Sequence, residues 1–366
     1  MNQLSSIWHS IQHTLFDWLE KELDPLTEKQ KEFVAVVELA ELDRHINPYR
    51  WKGVGRKPGY RLSLAKAFIA KAVYGFPTTD AMIEYLRDSK NLRRLCGWET
   101  RRAIPSVSAF SRAFAEFSEG ELMMVVHKAM VNNHLGDKIA GHVNRDSTAI
   151  EGREKPVRKK SSSAGPPKEK RKRGRRRKGE VVEPNPPKRL DLQGNRSLEE
   201  NLEDLPNQCD VGQKKDSKGH IITWIGYKLH LDTIDGDIPV SAILTSASVH
   251  DSQVAIPLAQ MTSQRITNLY DLMDSAYDAP QIKEYSIAMG HVPIIDQNPR
   301  RGEKMEMSPA QAQRYNERSA AERVNSNLKD NYGGRFIRVR GPAKVMTHLM
   351  CGLIALTANQ LFRLLQ

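Results

Sequence analysis

The chain has 366 residues, a formal net charge of +12 and 39% hydrophobic residues, so it is long enough for one large domain or two with hydrophobic cores. Its three cysteines, Cys96, Cys209 and Cys351, are far apart and show no CxxC or CxxH spacing, which argues against a zinc site or a disulfide framework and fits a reducing cytosol. Residues 1–20 lack the composition of a signal peptide, and polar residues interrupt the most apolar segment, residues 345–365, so no membrane span is expected.

Residues 1–138 are predicted to be helical, because their apolar residues recur at helical spacing between short polar breaks. Thr27 and Gln30 have the spacing of a capping box. Helices are predicted over residues 5–23, 27–40 and 61–74, after Thr78 or Thr79, and after Ser106. The helix after Thr78 or Thr79 is expected to bury Met82, Ile83, Tyr85 and Leu86. Short helices joined by short turns are typical of a helix-turn-helix bundle.

The residue pattern changes at residue 139, where the helical spacing of apolar residues ends. Residues 142–150 alternate loosely and predict a strand, and residues 153–218 are rich in Lys, Arg, Ser, Pro and Gly. We predict that this basic insertion is a largely disordered loop, because its composition cannot bury enough apolar surface.

The positive charge is concentrated in that insertion. Residues 153–178 contain 14 Lys or Arg and two Glu, a local net of +12 that leaves the rest of the chain near neutral. Residues 168–178 alone contain nine basic residues in eleven. Such a run is typical of a polyanionic partner and can bind duplex phosphates without reading sequence. The alternative is a solvated, protease-sensitive loop, and we favour the contact with DNA.

After the insertion, strands and helices alternate. Residues 221–231 and 238–244 form a predicted hairpin around the turn Asp235-Gly236-Asp237. A helix over 251–265, a strand over 268–273, a helix over 279–289, a strand over 291–295, a helix over 309–329 and a C-terminal helix follow. An α/β domain over residues 139–366 is therefore expected behind an all-α domain over residues 1–138.

One face of the predicted helix over 309–329 carries chemistry suited to a phosphate polymer. Tyr315, Arg318, Glu322 and Lys329 fall within about 60° of one another on an α-helix. A carboxylate can hold a divalent metal, and the cations beside it can grip phosphates. Any one of these residues alone is better explained as part of a solvated helix face.

The spacing Tyr315-x2-Arg318-x3-Glu322-x6-Lys329 resembles the Y-R-E-K motif of the insertion-sequence-4-like DDE transposases. The resemblance implies a ribonuclease-H-like catalytic domain, with Glu322 as the third metal-binding carboxylate and with Tyr315, Arg318 and Lys329 on DNA. The predicted order of strands and helices agrees with that fold. The N-terminal helices also resemble, less specifically, the helical domain of many such transposases.

Two further carboxylates are expected upstream. Asp146 lies in the first strand and Asp274 at the end of the fourth, in L-M-D-S-A-Y-D, and ligands collect at the carboxyl ends of parallel strands. Asp146, Asp274 and Glu322 would then hold two Mg²⁺ ions, for which Mn²⁺ can substitute, for phosphodiester chemistry. Alternatively, Asp146 and Asp274 cap a turn and a helix, and Asp271 and Asp278 compete with Asp274. Only 48 residues separate Asp274 from Glu322, which favours a compact branch of the superfamily, without the large β-rich insertion that some relatives carry there.

Other DNA contacts are predicted outside the helix face. The basic run supplies six candidates, Lys170, Arg171, Arg173, Arg175, Arg176 and Arg177. The N-terminal helices supply Arg112, with Arg101, Arg102, Ser106 and Ser108 beside it in the sequence, for recognition of element ends. A packing or dimerisation bundle explains the N-terminal helices equally well.

The resemblance therefore implies a cytoplasmic, nucleoid-associated DNA transposase that cleaves insertion-sequence ends and transfers the 3′-OH to target DNA. Its partners would be double-stranded DNA and further copies of itself, in a homodimer or a higher synaptic assembly. The alternatives are a catalytically idle, transposase-derived DNA-binding protein and a simple nuclease of the same fold.

Overall fold

The computed structural model describes residues 2–46, 61–157, 187–215, 219–299 and 305–365. Its N-terminal part is helical. The helices there are α1 (Asn2–Ser10), α2 (Phe16–Glu22), α3 (Glu28–Ala40), α4 (Leu42–His45), α5 (Arg61–Val73), α6 (Thr79–Asp88), α7 (Lys90–Leu95), α8 (Val107–Glu119) and α9 (Leu122–Leu135). A π-helical segment, Ile11–Leu15, joins α1 to α2, so the predicted first helix contains an irregular turn.

The caps predicted at Thr27 and Thr78 are present, whereas Ser106 precedes α8 without a side-chain cap hydrogen bond. Thr27 accepts from the backbone N–H of Gln30, whose side chain accepts from the N–H of Thr27, and Thr78 caps α6. The expected burial of Tyr85 is wrong: this side chain is 39% exposed. Its ring packs against Tyr74 and Phe76.

The C-terminal part contains a six-stranded mixed sheet. The strands are β1 (Ile139–Glu151), β2 (Asp210–Lys215), β3 (Ile221–Ile234), β4 (Ile238–Ser246), β5 (Thr267–Met273) and β6 (Val292–Ile295), and the helices are α10 (Arg189–Gln193), α11 (Leu198–Asp204), α12 (Ala255–Ser263), α13 (Pro280–Ala288), α14 (Pro309–Tyr315), α15 (Ser319–Asn331) and α16 (Pro342–Arg363).

Strand β1 lies in the middle of this sheet. It pairs antiparallel with β3 on one side and parallel with β5 on the other, and β5 pairs parallel with β6. Strand β3 also pairs antiparallel with β2 and with β4. The β3–β4 turn contains Gly236 and Asp237, both at positive φ, which is the geometry of a tight hairpin and confirms that prediction.

The largest hydrophobic cluster runs through both halves of the chain. It joins the N-terminal helices to β1, β3 and β4 and to α16. Helix α16 is long and apolar enough to cross a membrane by length and composition, but most of its residues are buried, as expected for a core helix. Because the core crosses residue 138, the two predicted domains pack as one body around α16.

The prediction that residues 153–218 are largely disordered is wrong for residues 187–215. Residues 187–215 form α10, α11 and strand β2. Leu198 and Leu205 pack into a small core with β4 and α12, and Ser197 and Glu200 form a capping box. These leucines and the capping box indicate local order, but the prediction of disorder used only the average composition of the whole segment. The basic run, with Lys170, Arg171, Arg173, Arg175, Arg176 and Arg177, lies outside the described residues.

The helix predicted over 309–329 is also not a single α-helix. It is interrupted between α14 and α15 by a 3₁₀ turn, Asn316–Arg318. Helix α15 packs through Val324 and Leu328 into the main core, as the apolar stripe predicts. Its Arg323 forms a two-pronged ion pair with Asp237 in the β3–β4 turn, at 2.6 and 2.8 Å. These contacts fix α15 across the sheet.

Candidate active site

Two predicted carboxylates emerge side by side from the sheet. In the parallel β1–β5 ladder, Arg145 is paired with Met273. The next residues are Asp146, on β1, and Asp274, which directly follows β5, and neighbouring strands lie about 4.8 Å apart. Asp274 also caps the short 3₁₀ turn that follows β5, accepting from the N–H of Ala276 at 2.9 Å, so its capping alternative is compatible with a place at this edge.

The rival carboxylates have other partners. Asp271 is buried and faces away from this edge, where it accepts hydrogen bonds from Ser286 and from Asn268 and pairs with His291. Asp278 pairs with Lys283 at 2.6 Å and accepts from the N–H of Asn298. Both are occupied with local structure, and this favours Asp274 for the second position.

The electrostatics of Asp146 and Asp274 are those of crowded carboxylates. Burial raises the pKa of Asp146 to about 6, and the charges of Asp274 and Asp251 add to that rise. Burial and the charge of Asp251 likewise raise the pKa of Asp274. A group of anions with raised pKa values in one place is a common feature of functional sites.

Arg318 connects the third predicted carboxylate to this pair. Its Nη2 donates to Oε1 of Glu322 at 2.6 Å, and its Nη1 lies 4.0 Å from Oδ1 of Asp146. Its guanidinium also lies over the ring of Tyr315, 5.8 Å from the centroid. The side chain of Glu322 is 60% exposed. Tyr315, Arg318 and Glu322 therefore gather at the edge that carries Asp146 and Asp274.

Asn325 is a site residue that sequence reasoning missed. It is buried on α15, one turn after Glu322, and donates from Nδ2 to Oδ2 of Asp146 at 3.0 Å. Among the described residues its Oδ1 has no hydrogen-bond partner. The signal was a polar residue beside the apolar stripe of α15.

Asp251 is a second missed residue. The sequence marked it only as the start of a helix, yet it lies close enough to affect the pKa of both Asp146 and Asp274. Lys228 on β3 holds it, with Nζ 2.9 Å from its Oδ1 and 2.8 Å from the carbonyl of Val249. The neighbouring Tyr277 is fully buried, and in the described part of the chain its hydroxyl has no hydrogen-bond partner.

Two of the three predicted metal ligands are arranged as a hard divalent cation requires. Asp146 and Asp274 offer carboxylate oxygens side by side, which is the ligand type that Mg²⁺ prefers. The unpaired polar atoms of Asn325 and Tyr277 lie near them. In the described ranges, however, no three His, Cys, Asp or Glu side chains converge as a metal-holding group. Glu322 is paired with Arg318 in this structure.

The remaining predicted DNA contacts are dispersed. Lys329 is half-buried at the far end of α15, where Arg335 and Glu151 are its charged neighbours. Arg112 is exposed on α8, in the helical N-terminal part. The structure therefore groups Tyr315, Arg318 and Glu322 at the carboxylate edge, and leaves Lys329 and Arg112 elsewhere.

Two family models match parts of this chain. Residues 203–358 match the family described as "Transposase DDE domain". Residues 16–116 match the family described as "Transposase domain (DUF772)". Both families are transposase domains. Together they support a DDE transposase of an insertion sequence.

The two family matches cover some residues of the candidate site and leave others out. Asp251, Asp274 and the whole of α15 fall inside the DDE-domain match, whereas Asp146 on β1 precedes it. Arg112 falls inside the other match. No curated protein and no solved structure matches the chain.

Proposed function

We propose that this protein is a metal-dependent DNA transposase of the insertion-sequence-4-like type, with Asp146, Asp274 and Glu322 as its catalytic carboxylates. The observation that carries the proposal is the register of β1 and β5, which puts Asp146 and Asp274 at one edge of the sheet. Helix α15 brings Glu322 to the same edge through Arg318 and Asn325. The two transposase-domain matches agree with this role.

The sheet supports a ribonuclease-H-like fold for the catalytic part. Along the chain, β3 and β4 form an antiparallel hairpin next to β1, and β5 and β6 extend the sheet in parallel on the other side. Carboxylates on the central strand and its parallel neighbour then share one edge, with helix α15 across it. That is the arrangement the family resemblance implies.

The residues of the site have distinct tasks. Asp146 and Asp274 would hold Mg²⁺, or Mn²⁺ in its place, with Glu322 joining them. Bound there, the metal would polarise the scissile phosphate and activate the attacking oxygen. Asn325 orients the carboxylate of Asp146. Arg318 neutralises charge between Glu322 and Asp146, and its guanidinium is suited to a phosphate oxygen when Glu322 turns away.

The DNA is proposed to enter past α15. Tyr315 and Arg318 lie at the carboxylate edge. Lys329 lies seven residues after Glu322 on α15, which is about two turns, or roughly 10 Å at 1.5 Å per residue. The basic run with Lys170 to Arg177 and the exposed Arg112 would add contacts to the phosphate backbone. The protein would act on double-stranded DNA in the cytoplasm. Because two DNA ends have to be held together, we propose a synaptic dimer or a larger assembly.

A cleavage assay tests the proposal. The substrate is a duplex that carries the inverted repeat flanking the gene, incubated with Mg²⁺, and the variants are Asp146→Asn, Asp274→Asn and Glu322→Gln. Each is expected to lose cleavage by a factor of at least about a hundred while keeping DNA binding. Glu317→Gln is the matched control, because Glu317 is an exposed glutamate in the neighbouring 3₁₀ turn. Normal cutting by Glu322→Gln would refute its assigned role.

Two other functions give different results in the same experiment. A catalytically idle relative would bind the end duplex and cut nothing with either Mg²⁺ or Mn²⁺. The ion pair between Glu322 and Arg318 is the observation that keeps this alternative open. A simple nuclease would cut, but it would not join a supplied 3′-OH end to target DNA in a strand-transfer assay.

A further inference from the structure

A basic groove lies at the far end of α15, away from the carboxylate edge. It has a volume of about 480 Å³ and lies between the end of β1 and the segment that joins α15 to α16. Its charged lining residues are Glu151, Arg153, Lys329, Arg335 and Arg338. The lining therefore contains four cations and one carboxylate. Its positive net charge favours an anionic ligand.

The cations in the groove are crowded. Burial lowers the pKa of Lys329, and the neighbouring charges of Arg335 and Lys214 lower it further. Two carboxylates offset part of this charge: Asp330 pairs with Arg335, and Glu151 and Asp330 both act to raise the pKa of Lys329. A phosphate placed among these side chains would relieve the repulsion between them, since hydrogen bonds between ionised partners are the stronger ones.

Phe336 is an aromatic side chain that the core does not use. It lines the groove and is 48% exposed, whereas the next residue, Ile337, is buried in the main core. The backbone on either side is held: Gly334 N–H donates to the carbonyl of Leu328 at 2.9 Å, and that of Phe336 to Gly333. The ring is therefore presented to the groove by a fixed segment.

Lys214 connects the groove with the carboxylate edge. It is exposed on β2, and its charge acts on Lys329 on one side and on Asp274 on the other. The charge of Lys214 is thus within electrostatic range of both the carboxylates and the groove. The sequence had placed Lys214 in a disordered loop, so this connection depends on the pairing of β2 with β3.

We propose that this groove binds a single-stranded stretch of DNA, with Lys329, Arg335 and Arg338 on its phosphates and Phe336 stacked on an unpaired base. Cations that follow a backbone, combined with an aromatic platform, are the usual means of holding single strands, and stacking contributes about 1–3 kcal/mol per base. The identity of the ligand as DNA rests on the proposed function. Binding in the groove does not require cleavage.

The test measures binding by fluorescence anisotropy with EDTA present, so that catalysis plays no part. The probes are a labelled thymidine oligonucleotide of about fifteen nucleotides and an abasic chain with the same number of phosphates. Because the phosphates are equal, contacts from the basic run cancel in the ratio of the two affinities. The full chain is expected to prefer the thymidine probe by about fivefold to tenfold.

The variants separate the two components of the site. Phe336→Ala is expected to abolish the preference and to leave abasic binding unchanged, and Phe336→Trp is expected to restore it. The double variant Arg335→Ala/Arg338→Ala should weaken both probes alike and reduce the salt dependence of binding. The matched controls are Trp18→Ala, another exposed aromatic, and Arg44→Ala/Arg87→Ala, which removes two exposed arginines in the helical part. Trp18→Ala should leave the ratio unchanged, and Arg44→Ala/Arg87→Ala should leave the affinity for both probes unchanged.

Two results would overturn the proposal: an unchanged preference in Phe336→Ala, or unchanged affinity in the Arg335→Ala/Arg338→Ala variant. Circular dichroism on each variant confirms that the exposed changes leave the fold intact. If the end duplex is not cut but the preference depends on Phe336, the groove stands and the catalytic proposal fails. If cutting requires Glu322 but the preference is absent, only the groove proposal fails.

Discussion

The side-chain amide of Asn325 donates a hydrogen bond to Oδ2 of Asp146 at 3.0 Å, across 179 positions of the chain. This contact joins α15 to the central strand within one helical turn of Glu322. It couples the orientation of a carboxylate on the sheet to the helix that carries the third carboxylate. We therefore regard Asn325 as a positioning residue.

Asn325→Ala is expected to lower the cleavage rate about tenfold to a hundredfold, since it removes a bond to a charged group worth about 1.5–3 kcal/mol. The loss should fall on the rate at saturating DNA rather than on DNA affinity, because the residue acts through Asp146. Asn327→Ala, two positions along the same helix, is the control, as Asn327 bonds only locally to Asn331 among its described contacts. Single-turnover cleavage at several enzyme concentrations separates the two effects. Equal rates for the two variants would contradict the role.

Arg318→Lys is expected to impair both cleavage and end binding. Arg318 reaches Glu322 with one nitrogen and Asp146 with another, and a lysine offers a single charged centre in place of that fork. Arg323→Lys is the matched control in the adjoining helix α15, because the ion pair of Arg323 with Asp237 lies at the β3–β4 turn. Gel-shift affinity and cleavage rate measured on both variants check this prediction. A loss of equal size in the control would point to helix packing instead.

The Lys228–Asp251 pair is expected to behave as a coupled unit. Lys228→Met leaves Asp251 near Asp146 and Asp274 without its cation, and should cost about 2 kcal/mol of stability. Adding Asp251→Asn should restore part of that loss, because the repulsion among the carboxylates is removed. Urea unfolding of the two single variants and the double variant gives the coupling free energy. Simple additivity of the two effects would show that the pair is not coupled.

Lys71 gives a prediction far from the site. Burial lowers its pKa to about 8 from an unfolded value of 10.5. The unfolded chain therefore binds more protons between these values, and stability rises with pH there. Lys71→Met is expected to stabilise the protein by about 1–3 kcal/mol near pH 7, with a smaller gain near pH 9.5. Urea midpoints at the two pH values measure this, and a gain independent of pH would exclude the stated cause.

Much of the fold was accessible from local patterns. The capping box of Thr27 and the hairpin around Gly236 were predicted from spacing and turn chemistry, and both are present. The mixed α/β character of the C-terminal part followed from the order of strands and helices. Composition misled where it was averaged over a long segment: the basic run dominated residues 153–218 and concealed the leucines of α11 and the strand β2.

Only part of the candidate site could be predicted from the sequence. Strand ends and one helix face pointed to Asp146, Asp274 and Glu322. Asn325 and Asp251 were not found, because their relation to Asp146 is set by how α15 and the β4–α12 connection cross the sheet, which no local pattern encodes. The 3₁₀ turn before Arg318 was missed for a similar reason: the stretch has high helix propensity throughout, and tertiary contacts decide where it tightens.

The central claim is that Asp274 holds a metal ion beside Asp146 during phosphodiester chemistry. Asp274→Cys tests it most directly, because a thiolate is a poor ligand for Mg²⁺ and a better one for Mn²⁺. Cleavage of the end duplex by this variant is measured with each ion, and Ser275→Cys serves as the neighbouring control. The account predicts that Asp274→Cys is inactive with Mg²⁺ and regains activity with Mn²⁺. Cleavage by Asp274→Cys with Mg²⁺ at the unmodified protein's rate would contradict it.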